Sequence, residues 1–469
     1  MIVNRRAFIR TSIAAALGGA GLFSASGSLK LIAAAAAAGR RARPLTDYKA
    51  LLCVFLAGGN DAFNTVVPVS GSERADYVAS RGALALDGLH ALTPQPGGGP
   101  SNYGMHPAMP ELAGLFNSGK LAVVANVGTL LYPTTQADYQ NGTVVLPPQL
   151  YSHDDQTTQW QTSRPDDSNA DGWGGRIADL LYAANSGQLP MSISLDGANR
   201  FQRGTIVSPY ALDSGGVNRL SYADDGPESW VIGDNPDGAA AYAALIEPGT
   251  QANALERQFA QSMSRTITNY RLLDTALAGA PVLQTPFPDS DLGNQLAMIA
   301  KVISVRDALG MSRQVFFIST GAYDTHSGQL DTQNDDLADL SQGLAAFQAA
   351  MAELGTGGNV TTFTASDFGR SLAVNEDGTD HGWGGHHLVL GDAVNGGRFF
   401  GTLPSLAPYE DGNPASNPDD TGWGQIIPTT AVDQYAATLA GWFGVDSGGI
   451  GDIFPNLGRF ASADLGFMG

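Results

Sequence analysis

The sequence has little cysteine, histidine and positive charge for its length. Its 469 residues include one Cys, seven His and 25 Lys plus Arg, against 45 Asp plus Glu. The single cysteine, Cys53, excludes an intrachain disulfide, and its apolar setting in ALLCVFLAGG predicts a buried structural thiol. The net charge of −20 disfavours nucleic acid or an anionic membrane as a partner. An anionic substrate would need a local positive charge, which bound cations could supply.

The N-terminus lacks an uninterrupted apolar run that could span a membrane. About 20 apolar residues are needed for a span, and here Gly, Ser and Lys30 interrupt the stretch. Arg5 and Arg6 form a twin-arginine pair ahead of a weakly apolar segment and the tract LIAAAAAAGRRARP. This pattern predicts a twin-arginine signal over residues 1–38, and ordinary Sec export or an uncleaved anchor are the alternatives. We expect a periplasmic or extracellular protein with no stable membrane span after cleavage.

Short apolar runs that alternate with helix-like segments predict the fold class. The pattern indicates an α/β protein with a mostly parallel sheet and helices on both faces. We expect one domain over residues 45–469, in which the Gly-, Ser- and Asp-rich residues 190–249 form an insertion or cap. The clearest strands are predicted in ALLCVFLAGGND, KLAVVANVGT, RQVFFISTGAYD, NVTTFTASDFGR and HHLVLGDAV.

Three acidic residues follow predicted strands, where ligands bind in open parallel sheets. Asp61 follows the first strand in FLAGGND, Asp324 follows VFFISTGAY, and Asp367 ends TFTASD. The alternative for Asp61 is a turn or a helix N-cap. Arg370, three residues after Asp367, could hold an anionic substrate group with forked hydrogen bonds, or form a salt bridge to a surface acid.

Five of the seven histidines lie beside acids or in the stretch GTDHGWGGHHLVLG. His153 precedes Asp154, His326 follows Asp324 by two residues, and His381 follows Asp380. Carboxylate with imidazole suits zinc, manganese or iron better than calcium. His386 and His387 begin a strand on opposite faces, so at most one of them can face a shared site. The pattern therefore predicts a divalent metal site with one or two ions, zinc or manganese, built from Asp61, Asp324, His326, Asp367, His381 and His386.

The motifs LLCVFLAGGNDAFNTVVP, YSHDDQTTQWQT, YDTHSGQ, SDFGR and GTDHGWGGHHLVLG, together with the leader, resemble the bacterial family called domain of unknown function 1501. The resemblance covers nearly the whole mature chain. It implies an alkaline phosphatase-like fold, related to sulfatases and phosphomutases. If the predicted site holds two metal ions, the ions would stabilise the attacking and leaving oxygens of a transferred phosphoryl or sulfuryl group.

The same resemblance assigns residues to roles and also shows two departures. It implies that Asp61, Asp367 and His381 are metal ligands and that Asp324 and His326 form an Asp/His ligand pair. Phe368 stands where the superfamily has a histidine, and no residue holds the nucleophile position unambiguously. A rough alignment places Ser152 or His153 near that position, although Ser152 is better explained as a helix N-cap.

These observations favour an exported metal-dependent hydrolase that acts on a phosphate or sulfate ester, with a small molecule or a glycan ester as substrate. A non-catalytic exported binding or assembly protein with a protein partner is the alternative. A single-metal enzyme that uses activated water is a third possibility. The repeated Gly-Trp-Gly turns are expected to pack Trp over glycine, and a carbohydrate platform is the alternative reading.

Overall fold

The computed structural model describes residues 45, 47–217, 244, 246–247, 249 and 251–469. The predicted leader over residues 1–38 lies outside these residues, and so does most of 218–250. The strands of the described part are β1 (Lys49–Leu56), β2 (Val66–Pro68), β3 (His90–Ala91), β4 (Tyr103–Met105), β5 (Leu121–Gly128), β6 (Ser192–Ser194), β7 (Tyr210–Ala211), β8 (Arg313–Thr320), β9 (Val360–Ser366), β10 (Arg370–Asn375), β11 (Gly378–His381), β12 (Gly385–Leu390), β13 (Arg398–Phe400) and β14 (Thr430–Ala431).

The described residues contain eleven α-helices. None of the helices in the described residues is long and apolar enough to cross a membrane. The α-helices are α1 (Ala62–Thr65), α2 (Gly71–Arg81), α3 (Pro110–Asn117), α4 (Gln136–Asn141), α5 (His153–Thr162), α6 (Trp173–Leu180), α7 (Ala254–Ala278), α8 (Asp291–Ser304), α9 (Gln329–Glu353), α10 (Val432–Phe443) and α11 (Ser447–Ile453).

A nine-stranded sheet forms the centre of the molecule. Its order is β13-β5-β12-β9-β1-β8-β6-β7, and β14 also pairs with β5. The strand β12 runs antiparallel to both of its neighbours, whereas the other pairs are parallel. The mostly parallel α/β sheet predicted from the sequence is therefore confirmed. The strand predicted at HHLVLGDAV is present, but it is the antiparallel member of the sheet.

The sheet buries both of its faces, as a parallel sheet requires. Along β1, Ala50, Leu52, Val54 and Leu56 enter one apolar core with residues of α3, α8 and α9. The alternate residues Leu51, Cys53 and Phe55 enter a second core with residues of α6 and α10. Helices on both faces are thus confirmed, and Cys53 is the buried thiol that its apolar run predicts.

The segment 190–249, which is predicted to form an insertion or cap, is described only in part. Its described portion contains β6 and β7, which pair with each other and join the central sheet through β8. This portion extends the main sheet instead of standing apart from it. The short strands escaped the sequence pattern because two or three residues show no clear period.

The strand order brings three chain segments with polar residues to one edge of the sheet. The strands β9, β1 and β8 are parallel neighbours, so their carboxyl ends lie side by side. Asp61, Asp324 and Asp367 follow these ends, as predicted. After β9, the chain folds into the β10–β11 hairpin, in which Arg370 pairs with His381. The hairpin carries His381 back to the same edge.

One buried carboxyl group away from this edge makes the stability of the fold depend on pH. Asp433 lies in the first turn of α10, is 1% exposed, and has one oxygen without a hydrogen-bond partner. Burial raises the pKa of Asp433 from 3.8 to about 7. The folded protein therefore holds this proton up to about pH 7, while the unfolded chain releases it near pH 3.8. The resulting stabilisation is complete below pH 3.8 and is lost as the pH rises to about 7.

We expect Asp433→Asn to remove this loss, because an amide stays neutral at every pH. Urea unfolding at acidic and mildly alkaline pH should show a smaller fall in the free energy of unfolding for the variant than for the wild type. The difference should be on the order of a few kcal/mol. Asp307→Asn is the control, since that side chain is 89% exposed. An unchanged pH dependence in Asp433→Asn would contradict the assignment.

Candidate metal centre

Three side chains from separate elements converge at the carboxyl edge of the sheet. His153 is the first residue of α5, Asp324 lies in the loop after β8, and His381 ends β11. One ligand atom from each lies within 4.8 Å of the others. The two histidine Nε2 atoms are 3.1 Å apart, and they lie 3.5 and 3.3 Å from the oxygens of Asp324.

The orientation of His153 is fixed from behind by a carboxylate. Its Nδ1 lies 2.7 Å from Oδ2 of Asp367, which is 4% exposed. The other oxygen of Asp367 accepts a hydrogen bond from the Gly58 amide at 3.1 Å. Since a carboxylate accepts hydrogen bonds, the proton of a neutral His153 sits on Nδ1 and the lone pair on Nε2 faces the cluster.

His381 is held in the same tautomer by a backbone carbonyl. Its Nδ1 donates to the carbonyl oxygen of Tyr151 at 2.7 Å, because that oxygen can only accept. Burial lowers the pKa of His381, which favours the neutral ring. Its Nε2 lone pair therefore also faces the cluster.

Two imidazole lone pairs that face each other repel unless a proton or a cation lies between them. The carboxylate of Asp324 completes a convergent set of donors with a preference for positive charge. Two donors bound at about 2.1 Å to a tetrahedral zinc ion lie roughly 3.4 Å apart. The Nε2 atoms lie 3.1 Å apart, and each has an oxygen of Asp324 at a similar distance: Oδ1 at 3.3 Å from His381 and Oδ2 at 3.5 Å from His153. The residues present thus fit a divalent transition metal, and second-sphere partners already orient the histidines.

His326 lies on the open side of the cluster. Its Nε2 is 2.9 Å from Nε2 of His381 and 3.0 Å from Oδ1 of Asp324. Its Nδ1 is 3.4 Å from an oxygen of Asp380. The His326 side chain is 46% exposed, so it lines the solvent side of the site.

Arg370 forms a salt bridge to a protein carboxylate, which is the alternative to the predicted grip on an anionic substrate. Its guanidinium is fully buried and donates from Nη1 to Oδ1 of Asp324 at 2.6 Å. Its other nitrogens donate to the hydroxyl and carbonyl oxygens of Thr379. Burial alone would raise the pKa of Asp324, but the hydrogen bond and charge of Arg370 hold it below its ordinary value. Arg370 therefore keeps the Asp324 carboxylate ionised and in place.

Asp61 is committed to a buried ion pair, which corrects its assignment as a ligand. One oxygen caps α1 by accepting from the amides of Phe63 and Asn64. The other oxygen accepts from the guanidinium of Arg81 and the amide of Gln329. The side chains of Asp61 and Arg81 are both fully buried. The cap predicted as the alternative is present, and the ion pair supplies the cation that a carboxylate at this position needs.

His386 also lies away from the cluster. Its Nδ1 accepts a hydrogen bond from the Asn126 amide at 3.1 Å, and the ring meets Phe63 edge-on. His387 packs against Trp160 on the opposite face of β12. Burial lowers the pKa of His386 to about 4 and that of His387 to about 3. Both are neutral core histidines, so the assignment of His386 as a metal ligand does not fit the structure.

Neither Ser152 nor Phe368 supplies a reacting group. Ser152 is the N-cap of α5, and its hydroxyl donates to Asp155 Oδ2 at 2.7 Å. The ring of Phe368 packs against His153 and His381, with centroid distances of 4.8 and 4.7 Å. A Cβ at Gly59 would come within 2.3 Å of this ring, so glycine is required there. Phe368 therefore fills the space beside the two histidines with apolar atoms.

The sequence pattern missed Tyr151, whose carbonyl orients His381. Tyr151 has φ of 71°, which is unusual for a bulky residue. Its hydroxyl lies 3.0 Å from that of Tyr139, and its ring packs in a small core with Trp383. A backbone carbonyl carries no residue-type signal, so only the fold could reveal this partner.

The fold and the site define an α/β protein with a cluster of two histidines and an aspartate, which could hold a metal ion, at the carboxyl edge of its sheet. The chain belongs to the family described as "Protein of unknown function (DUF1501)", which matches residues 48–421. The family resemblance inferred from the motifs is confirmed. No curated protein matches the chain significantly.

Several solved structures are similar to the chain at 10% identity. The C-terminal periplasmic domain of EcEptC from Escherichia coli, in complex with Zn, has a TM-score of 0.35 over 86% of this chain and 84% of that one. The lipoteichoic acid synthase LtaP from Listeria monocytogenes has a TM-score of 0.33, with 88% and 78% covered. The PsFucS1 sulfatase from Pseudoalteromonas sp. has a TM-score of 0.32, with 91% and 77% covered. At these scores the likenesses carry no argument about the activity of this chain.

The structural role of Asp61 can be separated from metal binding. We expect Asp61→Asn to lower the free energy of unfolding by about 3 kcal/mol, because it leaves the buried Arg81 charge uncompensated. The folded variant should retain the metal content of the wild type, as measured by elemental analysis beside urea unfolding. His381→Ala is the matched comparison, and it should lose metal. Loss of metal from folded Asp61→Asn would restore Asp61 to the ligand set.

Proposed function

We propose that this protein is an exported, metal-dependent hydrolase that acts on a phosphate or sulfate ester and uses one divalent ion. The observation that carries the proposal is the pair of opposed Nε2 lone pairs of His153 and His381 beside the Asp324 carboxylate. Zinc or manganese suits this donor set, since carboxylate and imidazole bind both. Export is supported by the leader motif around Arg5 and Arg6.

A single ion is proposed because the neighbouring side chains that could bind a second ion already make other contacts. Asp61 is neutralised by Arg81, and Phe368 places apolar atoms beside the histidines. Asp367 accepts a hydrogen bond from Nδ1 of His153, which fixes the tautomer of that ring. These contacts support a ligand set of His153, Asp324 and His381, with His326 on the open side of the site. Three protein ligands with one open position are typical of catalytic zinc sites, whereas structural sites are closed by four.

The protein residues around the ligands have distinct tasks. When bound, a divalent ion supplies positive charge that polarises an ester oxygen and makes water more acidic. Asp367 and the Tyr151 carbonyl keep the two imidazoles aimed at the ion. Arg370 keeps Asp324 ionised. His326, on the exposed side, is placed to accept a proton from attacking water, with Asp380 behind its Nδ1.

Water is the attacking group in this proposal because the described site offers no free hydroxyl or thiol in the expected position. Ser152 is bonded to Asp155 and caps α5. The net charge of −20 would repel an anionic ester, so the bound cation is also needed to attract substrate.

A non-catalytic exported binding or assembly protein is the second candidate. The apolar Phe368 ring and the capping role of Ser152 favour it. In that case His326 would act as a fourth ligand that closes the metal site. The two candidates therefore differ in what His326 does.

Metal content tests the ligand set. The mature protein, purified after supply of zinc or manganese, should contain about one equivalent of metal. Asp324→Ala and His381→Ala should each lose it while remaining folded by circular dichroism. His90→Ala is the control, since His90 contacts the Pro107 carbonyl away from the cluster. A metal-free wild type, or two equivalents lost together, would contradict the single-ion site.

Hydrolysis separates the two candidates. With p-nitrophenyl phosphate, bis-p-nitrophenyl phosphate and p-nitrophenyl sulfate as probes, Ser152→Ala should keep the wild-type rate constant. His326→Ala should keep the metal and lose about 100-fold in kcat, which is the contribution expected of a proton-transfer residue. If His326→Ala instead loses the metal and no probe is hydrolysed by the wild type, the binding-protein reading replaces the hydrolase.

A further inference from the structure

One tryptophan stands out by its exposure. Five of the six tryptophans lie in the described residues, and Trp160, Trp173 and Trp383 are at most 3% exposed. Trp423 is 79% exposed. Two of the three Gly-Trp-Gly turns, around Trp173 and Trp383, thus pack their rings in the core as expected. The third turn presents its ring to solvent.

The backbone of this third turn is held firmly. Oδ1 of Asp420 accepts hydrogen bonds from the amides of Gly422, Trp423 and Gly424 at 2.7, 3.0 and 2.9 Å. The two glycines have φ of 110° and 87°, values that favour glycine. The carbonyl of Gly424 accepts from the Leu372 amide at 2.7 Å. An indole on such a turn can bind a ligand with little loss of backbone entropy.

Hydrogen-bonding groups flank the turn. The Tyr409 hydroxyl and the Gln140 amide nitrogen both lie within 4 Å of the point where a Cβ on Gly422 would sit. One hydrogen of the Gln140 amide is donated to the Thr421 carbonyl at 3.4 Å, which leaves the second for a ligand. Trp423 is the one large apolar side chain that is well exposed between residues 401 and 469. A protein interface needs about 1,000 Å² of buried surface or more, with several anchors. An exposed indole on a turn that also has a hydroxyl and an amide group beside it suits a sugar ring, which has one apolar face and a rim of hydroxyls.

The turn is connected to the strands that carry the histidine cluster. The Gly424 carbonyl accepts a hydrogen bond from the Leu372 amide in β10, and β10 pairs with β11, the strand that carries His381.

We propose that Trp423, with Tyr409 and Gln140, forms a carbohydrate-binding subsite that stacks the face of a neutral pyranose ring. The indole supplies the apolar platform, and the hydroxyl and the amide serve the sugar hydroxyls. The subsite is a binding site in addition to the proposed hydrolase centre. It rests on the proposed function in one respect, namely that the stacked sugar would belong to the glycan that bears the ester.

The test measures oligosaccharide binding without relying on hydrolysis. Titration calorimetry with cellohexaose, chitohexaose and mannohexaose is carried out on the wild type and on His381→Ala. At least one sugar should bind both proteins with equal affinity. Trp423→Ala should weaken that binding about tenfold or more, and Trp423→Phe should weaken it less. Tyr182→Ala is the control, since Tyr182 is an aromatic residue that is 64% exposed outside this turn.

The outcomes separate the subsite from the hydrolase. Binding that depends on Trp423 but persists in an inactive protein supports the subsite, even if no ester is hydrolysed. Ester hydrolysis without binding of any of the three sugars overturns the subsite and leaves the hydrolase intact. Equal binding by the wild type and Trp423→Ala also overturns the subsite. Circular dichroism confirms that Trp423→Ala is folded, which is expected because the ring is exposed.

Discussion

The repulsion between two imidazole lone pairs is the constraint on which the centre depends. His153 and His381 face each other with Nε2 atoms 3.1 Å apart, and each ring is fixed from behind by an acceptor. Neither ring can turn its proton inward without losing that hydrogen bond. The cluster therefore favours a positive charge beside the Asp324 carboxylate, and the proposed metal ion would supply it. The surrounding contacts serve to keep these three donors aimed at one point.

Asp61, which lies at the same edge of the sheet, obtains its positive partner from the protein itself. Its carboxylate is buried, and a buried carboxylate needs a cation beside it. The guanidinium of Arg81 provides it, and Gln329 adds a hydrogen bond. Gln329 also accepts from Thr379, which in turn accepts from Arg370 beside Asp324. The Arg81 guanidinium thus neutralises Asp61. Among the described residues, the histidine cluster has no such side-chain cation between its two rings.

Much of the fold was predictable because strong local patterns agreed with the tertiary structure. Runs such as ALLCVFLAGGND and RQVFFISTGAYD are buried on both faces, so their continuous apolar character identifies them as central strands. Asp324 and Asp367 follow two such apolar runs in the sequence, so their positions at strand ends were predictable as well. The short strands β6 and β7 and the antiparallel direction of β12 were not predictable, since neither length nor direction leaves a periodic signal.

The sequence by itself determined the α/β class, the family, and the supply of histidine and carboxylate at the sheet edge. Only the tertiary structure decided which of them meet: His153, Asp324 and His381 converge, Asp61 and His386 lie apart from them, and Arg370 contacts Asp324. The physical reason is that ligation depends on separations of about 3 Å between atoms far apart in the chain. Residue types and spacing specify the edge, but the partners behind each ring, including a backbone carbonyl at Tyr151, are fixed by packing.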